Sequence, residues 1–507
     1  MNRRKLLTSI LAWGGLLTGA NTNAFAKMAG MNMANSKLPG MDMSGTAANS
    51  HKRLRKLPIG IPFSHLARLE NTSREKATFE AVIEAGNGTH EFVPGLATRI
   101  LAYNRIASGA MIEVAEGDHV KITFKNRIPE QPSTIHWHGL EIPADQEGGP
   151  MNPVASGADH TYEFTIPEGS AGSYWYHPHP HGLTSEQVYR GLAAPFLVRS
   201  KNDPLSRELG DTTLFITTVS LNSDGTIAEN TDADRMNGRE GDHVLVNGNK
   251  QPVLTLPPGA SRRFRLYNAT SGRFLRLSLE GHTMTLVGTD GGLIAAPVKG
   301  LKELILAPAE RAEIIVDFKA KVGRFNLTSK AYERGWMGVN KPAAKALSLM
   351  TFVLAGLAVE PIALPEKLRD IVTLGEPTSR KRLEFSENMG MANGRMTMDF
   401  LIDGKSFKMN RVDLQARVGE IELWEIYNSS DMDHPLHIHG TQFQIVEREK
   451  KGKKTPAPFL AWKDTVNITS KETVRIKLQY STPGLRMYHC HILEHEDNGM
   501  IGTLDIV

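Results

Sequence analysis

The sequence is poor in several features that would otherwise settle its class. It has one cysteine, Cys490, in 507 residues. A single thiol forms no internal disulfide, so Cys490 is either buried and inert or chemically employed. The formal net charge is only +4 and aromatics make up 7% of the chain. With no basic stripe interleaved with aromatics, nothing points to a nucleic-acid partner. Beyond the N-terminus there is no long hydrophobic run, so no membrane span is expected. No coiled-coil or other assembly signal is present, and a monomer is expected.

What the N-terminus does have is an export signal. Arg3, Arg4 and Lys5 precede a mostly apolar stretch from Leu6 to Ala20, and Ala24-Phe25-Ala26 offers cleavage after about Ala26. The paired arginines suggest the twin-arginine route, and the periplasm is the expected location. Residues 27–56 carry Met28, Met31, Met33, Met41 and Met43 among Gly, Asn and Ser. That tract cannot build a core and is expected to be flexible.

A chain this long exceeds one compact core. Its organisation shows in a repeat that runs Gly117 to Asn126, Gly259 to Asn268 and Gly419 to Asn428. In each copy the fifth and seventh residues after the glycine are apolar: Ile122 and Phe124, Phe264 and Leu266, Trp424 and Ile426. Apolar residues two apart share one face of a strand, so each copy predicts a half-buried strand between turns. Three β-sandwiches in series follow, over residues 57–200, 201–360 and 361–507.

The chemistry lies in the first and third. Four His-x-His pairs occur: His136/His138, His177/His179, His437/His439 and His489/His491. On a strand each pair turns two imidazoles to one side, and eight imidazoles suit copper or zinc. The last cluster separates the two metals. Cys490 has opposite parity to His489 and His491 and can meet His434, His495 and Met500. Two imidazoles, a thiolate and a weak thioether make a blue-copper electron-transfer site, and zinc rarely takes a thioether. The covalent neighbours of Cys490 then bind metal on the other face, a short wire between the two sites. Such wiring suits one-electron oxidation coupled to multi-electron reduction of dioxygen.

The motifs His136-Trp-His-Gly139, Trp175-Tyr-His-Pro-His179, His434-Pro-Leu-His-Ile-His-Gly440 and His489-Cys-His-(x)3-His495-(x)4-Met500 resemble those of the multicopper oxidases, most closely the periplasmic cuprous oxidases of copper efflux. The resemblance implies an all-β fold of three cupredoxin-like Greek-key sandwiches and four copper ions. His136 and His437 would hold the type 2 copper. His138, His177, His179, His439, His489 and His491 would hold the type 3 pair, and His434, Cys490, His495 and Met500 the type 1 copper. By the same resemblance Glu496 is a proton relay, and Glu147 stands where the family carries an aspartate. His181 has no place in the family's set and is expected just behind the ligands or at the entrance, while His282 in the middle unit is expected to be structural.

Thioethers and carboxylates select soft Cu(I), so Met432 with Asp431 or Asp433 is a candidate substrate-copper site beside His434. The family's aspartate position holds Ser430 here. Met389, Met391, Met396 and Met398 fall where the cuprous oxidases carry a longer methionine-rich insert, and the N-terminal methionines suggest copper handling. Cu(I) oxidation in copper tolerance is the expected activity, and laccase-type oxidation of a small phenol is the alternative. A non-enzymatic copper carrier would not need the full ligand set. A two-domain nitrite reductase would not need the type 3 histidines.

Overall fold

Alternating apolar and polar residues turn each Gly-to-Asn repeat into a strand with one buried face. In the computed structural model, which describes residues 52–338, 341–392 and 395–507, the repeats are the strands His119–Arg127, Ser261–Asn268 and Ile421–Asn428. Ile122, Phe124, Phe264, Leu266, Trp424 and Ile426 are all buried. Each repeat strand lies parallel to the strand that opens its unit: Thr78–Val93, Asp211–Val219 and Ser379–Ala392. Parallel neighbours cannot be joined by a hairpin, so each time the chain visits a second sheet before returning. The outcome is three pairs of sheets, of four and four, six and five, and six and five strands. Each pair encloses its own apolar core, around Trp137, Phe264 and Trp424 respectively. The fold is all-β, a series of three cupredoxin-like sandwiches.

The asparagine that ends each repeat does the same work three times. Asn126, Asn268 and Asn428 each donate from Nδ2 to two carbonyls: Gln131 and Val154, Arg273 and Leu306, Met432 and Ile468. Each Oδ1 also accepts the amide two residues on, from Ile128, Thr270 and Ser430. A buried amide saturated in this way fixes the loop that follows its strand. In the first and third units that loop leads to His136 and His434.

Among the described residues three short α-helices, Thr184–Tyr189, Asp232–Asn237 and Leu493–Asp497, come one from each unit. The third ties to the other two. Asp497 accepts the amides of Thr184 at 3.1 Å and Ser185 at 2.8 Å, at the start of the first helix. Glu494 accepts the amide of Arg239 at 3.0 Å, just past the second. Carboxylates suit these unpaired amides, although burial pushes both acids up to about 7. No helix among the described residues is long and apolar enough to cross a membrane. Residues 1–51, which hold the expected export signal and most of the methionine-rich tract, lie outside the described residues.

Candidate metal centre

Strand pairing brings the motifs of each unit together. His136 lies opposite His177 on antiparallel strands, and His437 lies opposite His489. All eight histidines of the four pairs are buried. Their nitrogens gather in three trios, each within 4.8 Å: His136, His138 and His437; His138, His177 and His491; His179, His439 and His489. Every trio mixes residues from the first and third units. Across that boundary the rings stack, His138 on His437 at 3.7 Å and His136 on His439 at 4.0 Å.

Backbone carbonyls set the protonation of several rings. Nδ1 of His136, His177, His437 and His489 donates to the carbonyls of Glu147, Pro178, Asp464 and Cys490 at 2.8–3.0 Å. An imidazole that donates from Nδ1 keeps a lone pair on Nε2. Nε2 of His136 and of His437 is buried with no hydrogen-bond partner. Nε2 of His489 lies 3.0 Å from that of His439 and 3.3 Å from that of His179. Burial, then neighbouring rings, lowers the pKa of His136, His138, His437, His439 and His491. Burial likewise brings His177 to about 3 and His179 to about 4. Neutral, buried, converging lone pairs are costly without a cation and are what transition-metal ions require, so the residues fit copper.

The second site assembles as strand parity requires. Cys490 Sγ is 3.4 Å from His434 Nδ1 and 3.9 Å from His495 Nδ1. Met500 is fully buried in the same core cluster, and its carbonyl accepts the Cys490 amide at 3.0 Å. Burial pushes the Cys490 thiol up, so a stable thiolate here needs the counter-charge that a bound cation supplies. The outer nitrogens are held too. His495 Nε2 donates to the Met236 carbonyl at 3.2 Å, and His434 Nε2 contacts Ser430 Oγ at 2.9 Å and Glu387 Oε1 at 3.0 Å.

Both expected acids reach the histidine cluster. The Glu496 oxygens lie 3.5 Å from His179 Nδ1 and 3.2 Å from His489 Nδ1. Burial raises its pKa, but His179 and His489 outweigh that and hold the carboxyl well below its usual range. Glu147 is buried, with Oε2 3.1 Å from Arg486 and 3.7 Å from His439 Nδ1. Burial pushes Glu147 up against the pull of Arg486. His181 is exposed and packs on Phe407. His282 is tied to Glu280 and Lys319 between Phe318 and Phe325.

The expected substrate-copper pair is not assembled as a shared open site. Met432 is fully buried, whereas the Asp431 side chain is 82% exposed and ion-paired with Lys471 at 3.0 Å. Asp433 is committed to Tyr332 at 2.7 Å and Asn467 at 3.1 Å. The side chains of Met389, Met391 and Met396 lie outside the described residues. Sequence reasoning missed Glu387, which lies 47 positions from His434, and it missed Asp464 with its partner Arg311. No local motif marks them. A signal was available only for Asp464, a lone acid immediately before a strand opposite His437.

Comparison with known proteins agrees with this geometry. Family profiles described as multicopper oxidase match residues 84–203, 217–353 and 379–507. The multicopper oxidase of Staphylococcus aureus is 33% identical over 84% of this chain and 88% of its own length. The laccase of Bacillus subtilis is 28% identical over 89% of this chain and 99% of its own length. The structure of the Campylobacter jejuni multicopper oxidase superposes with a TM-score of 0.85 at 39% identity, covering 91% of this chain and 99% of that one. This chain therefore belongs to the multicopper oxidase family and is a copper-dependent oxidase that uses dioxygen.

Proposed function

We propose that this oxidase takes electrons from Cu(I) and returns it as Cu(II), reducing dioxygen to water with four resident coppers. One observation carries the choice of substrate. Glu387, with 11% of its side chain exposed, sits 3.0 Å from the outer nitrogen of His434. It lies in a hairpin whose backbone register pairs Met389 with Met398 and Met391 with Met396. A carboxylate beside the electron-accepting ligand, on a strand that also carries methionines, suits a soft monovalent cation. This replaces the Met432–Asp431 pair as the docking point. The Campylobacter jejuni relative is described as a metallo-oxidase, which supports the same substrate class.

In this reading His434, Cys490, His495 and Met500 hold the type 1 copper, His136 and His437 the type 2 copper, and the other six histidines the type 3 pair. Copper held there supplies one-electron steps to dioxygen. The protein does the rest. Cys490 joins the two sites through its own covalent neighbours, His489 and His491. Glu496, ionised and facing His179 and His489, accepts and delivers the protons that water formation consumes. Glu147 holds a second carboxylate at His439. The sandwiches are assigned to residues 57–200, 201–360 and 361–507, and the protein to the periplasm after loss of residues 1–26, as a monomer.

A specific feature favours phenol oxidation as the second reading. A cavity of about 570 Å³ is lined by Tyr332, Trp336 and Arg334 among others. Tyr332 donates to Asp433, the neighbour of His434. Oxygen uptake by the copper-loaded protein on Cu(I) and on a small phenol separates the two. Faster turnover on Cu(I), with Glu387→Gln raising KM for Cu(I) but not for the phenol, is expected. Preference for the phenol, unchanged by Glu387→Gln, would make the enzyme a laccase.

A further inference from the structure

Asp464 and Glu147 occupy matching places on the two sides of the histidine cluster. Each backbone carbonyl accepts Nδ1–H from a ring of its own unit, His437 at 2.8 Å and His136 at 3.0 Å. Each side chain reaches a ring of the other unit: Asp464 Oδ1 is 3.1 Å from His138 Nε2, and Glu147 Oε2 is 3.7 Å from His439 Nδ1. Each carboxylate pairs with a buried arginine, Arg311 and Arg486. The glycine after each His-x-His motif makes the space. A Cβ on Gly139 would lie 2.2 Å from Asp464 Oδ2, and one on Gly440 2.6 Å from Arg486 Cζ.

The two arms differ in finish. Glu147 leaves Oε1 unpartnered and, with Arg486 and His439, borders a cavity of about 380 Å³. Asp464 is sealed and saturated. Arg311 grips both oxygens, at 2.7 and 2.5 Å, and Thr465 Oγ1 donates to Oδ1 at 2.9 Å. The remaining Arg311 donors go to the carbonyls of Ser173, Ala309 and Asp290.

The rings differ as well. His136, His177, His437 and His489 turn Nδ1 outward to carbonyls, while His179 and His439 turn it toward Glu496 and Glu147. Among the described residues of the cluster, His138 alone turns Nε2 outward, to Asp464 at 3.1 Å and more loosely to Thr465 Oγ1 at 3.3 Å, and its Nδ1 lies 3.5 Å from His177 Nε2. An Nε2–H donated to a carboxylate leaves the lone pair on Nδ1. We propose that Asp464, locked by Arg311, is the positioning residue that reverses His138, fixing its proton on Nε2 and presenting Nδ1 to the cluster. Arg311 belongs to the strand Arg311–Asp317 of the middle sandwich, so a unit without a histidine cluster sets the tautomer of a ligand it does not supply. The inference rests on the copper-ligand reading above.

The test uses the copper-loaded full chain carrying Asp464→Asn. The amide has one accepting oxygen where the carboxylate has two: if that oxygen stays on His138 the Arg311 fork is broken, and if it turns away His138 faces an NH2 group and takes the opposite tautomer. Copper affinity of the histidine cluster should fall about 10- to 100-fold, with a changed Cu(II) EPR spectrum of the cluster. The blue absorption at Cys490, whose Sγ faces His434 and His495, should persist and report folding. Arg311→Lys keeps the charge but loses the fork, and should shift the same EPR signal to a smaller degree. Unchanged copper content and EPR spectra in a blue Asp464→Asn protein would overturn the proposal. If Asp464→Asn does not fold, an unchanged EPR spectrum in Arg311→Lys would overturn it equally. A wild-type protein that takes up copper without a blue band would instead sink the ligand reading itself.

Discussion

At the scale of single residues, the cluster depends on groups that leave it no slack. Gly139 has φ +89°, and a Cβ there would collide with Asp464 and Arg311. Gly139→Ala should therefore cost about 1–3 kcal/mol from overpacking, read as a lower thermal midpoint together with weaker copper retention. Glu496→Gln keeps the shape but cannot carry a proton as a carboxylate does. Steady-state oxygen reduction should slow by about 10²- to 10⁴-fold. Anaerobic bleaching of the blue band by substrate should keep its wild-type rate. Equal slowing of both phases would remove Glu496 from proton delivery. Cys490, His495 and Met500 were legible because parity and spacing bind them in one short stretch of sequence, and His434 because it opens the His-Pro-Leu-His-Ile-His motif with the opposite parity to His437 and His439. Glu387 was not, because its partner lies on the opposite sheet, 47 positions away, and a lone glutamate in a strand carries no pattern.

At the scale of elements, the repeat was readable and its ending was not. Alternation marked the three strands, and the turn residues marked their limits. That the closing asparagines share one hydrogen-bonding role depends on carbonyls as distant as Ile468, 40 positions from Asn428, which only the fold brings near. The short helices were equally hidden, since five or six residues carry no usable periodicity. Asp497 joins the last of them to the first unit by accepting two amides. Asp497→Ala should cost about 1–2 kcal/mol, as loss of an N-terminal cap does. Chemical denaturation of the copper-free protein would measure it, and an unchanged midpoint would mean that water replaces the carboxylate.

At the scale of the whole molecule, titration and stability are linked through the buried histidines. The folded-state pKa values of His136, His138, His437, His439, His491 and His495 lie below the unfolded value of 6.5, and those of His179 and His177 fall to about 4 and about 3. As pH falls below about 6.5 the unfolded chain takes up protons that the folded chain refuses, so stability is full above that pH and declines toward 4. Glu494 and Asp497, raised to about 7, oppose this because the folded state protonates them first. They are two groups against a larger set of histidines. The thermal midpoint of the copper-free protein should drop steadily from about pH 6.5 to 4, and a flat profile would contradict the buried neutral rings. Restoring copper should raise the midpoint at neutral pH, because the ions bind only the assembled state.

The mixed origin of the three histidine trios carries a topological consequence. His179 and His489 are 310 positions apart, so an ion gripped by both closes a covalent ring of that span, as a disulfide would in a chain with a second thiol. The entropy removed from the unfolded state grows with ring size. In a protein whose lone cysteine forbids any internal sulfur bridge, catalytic ions held there would also be its staples, and a chelator that stops turnover would unfasten the first unit from the third with the same stroke.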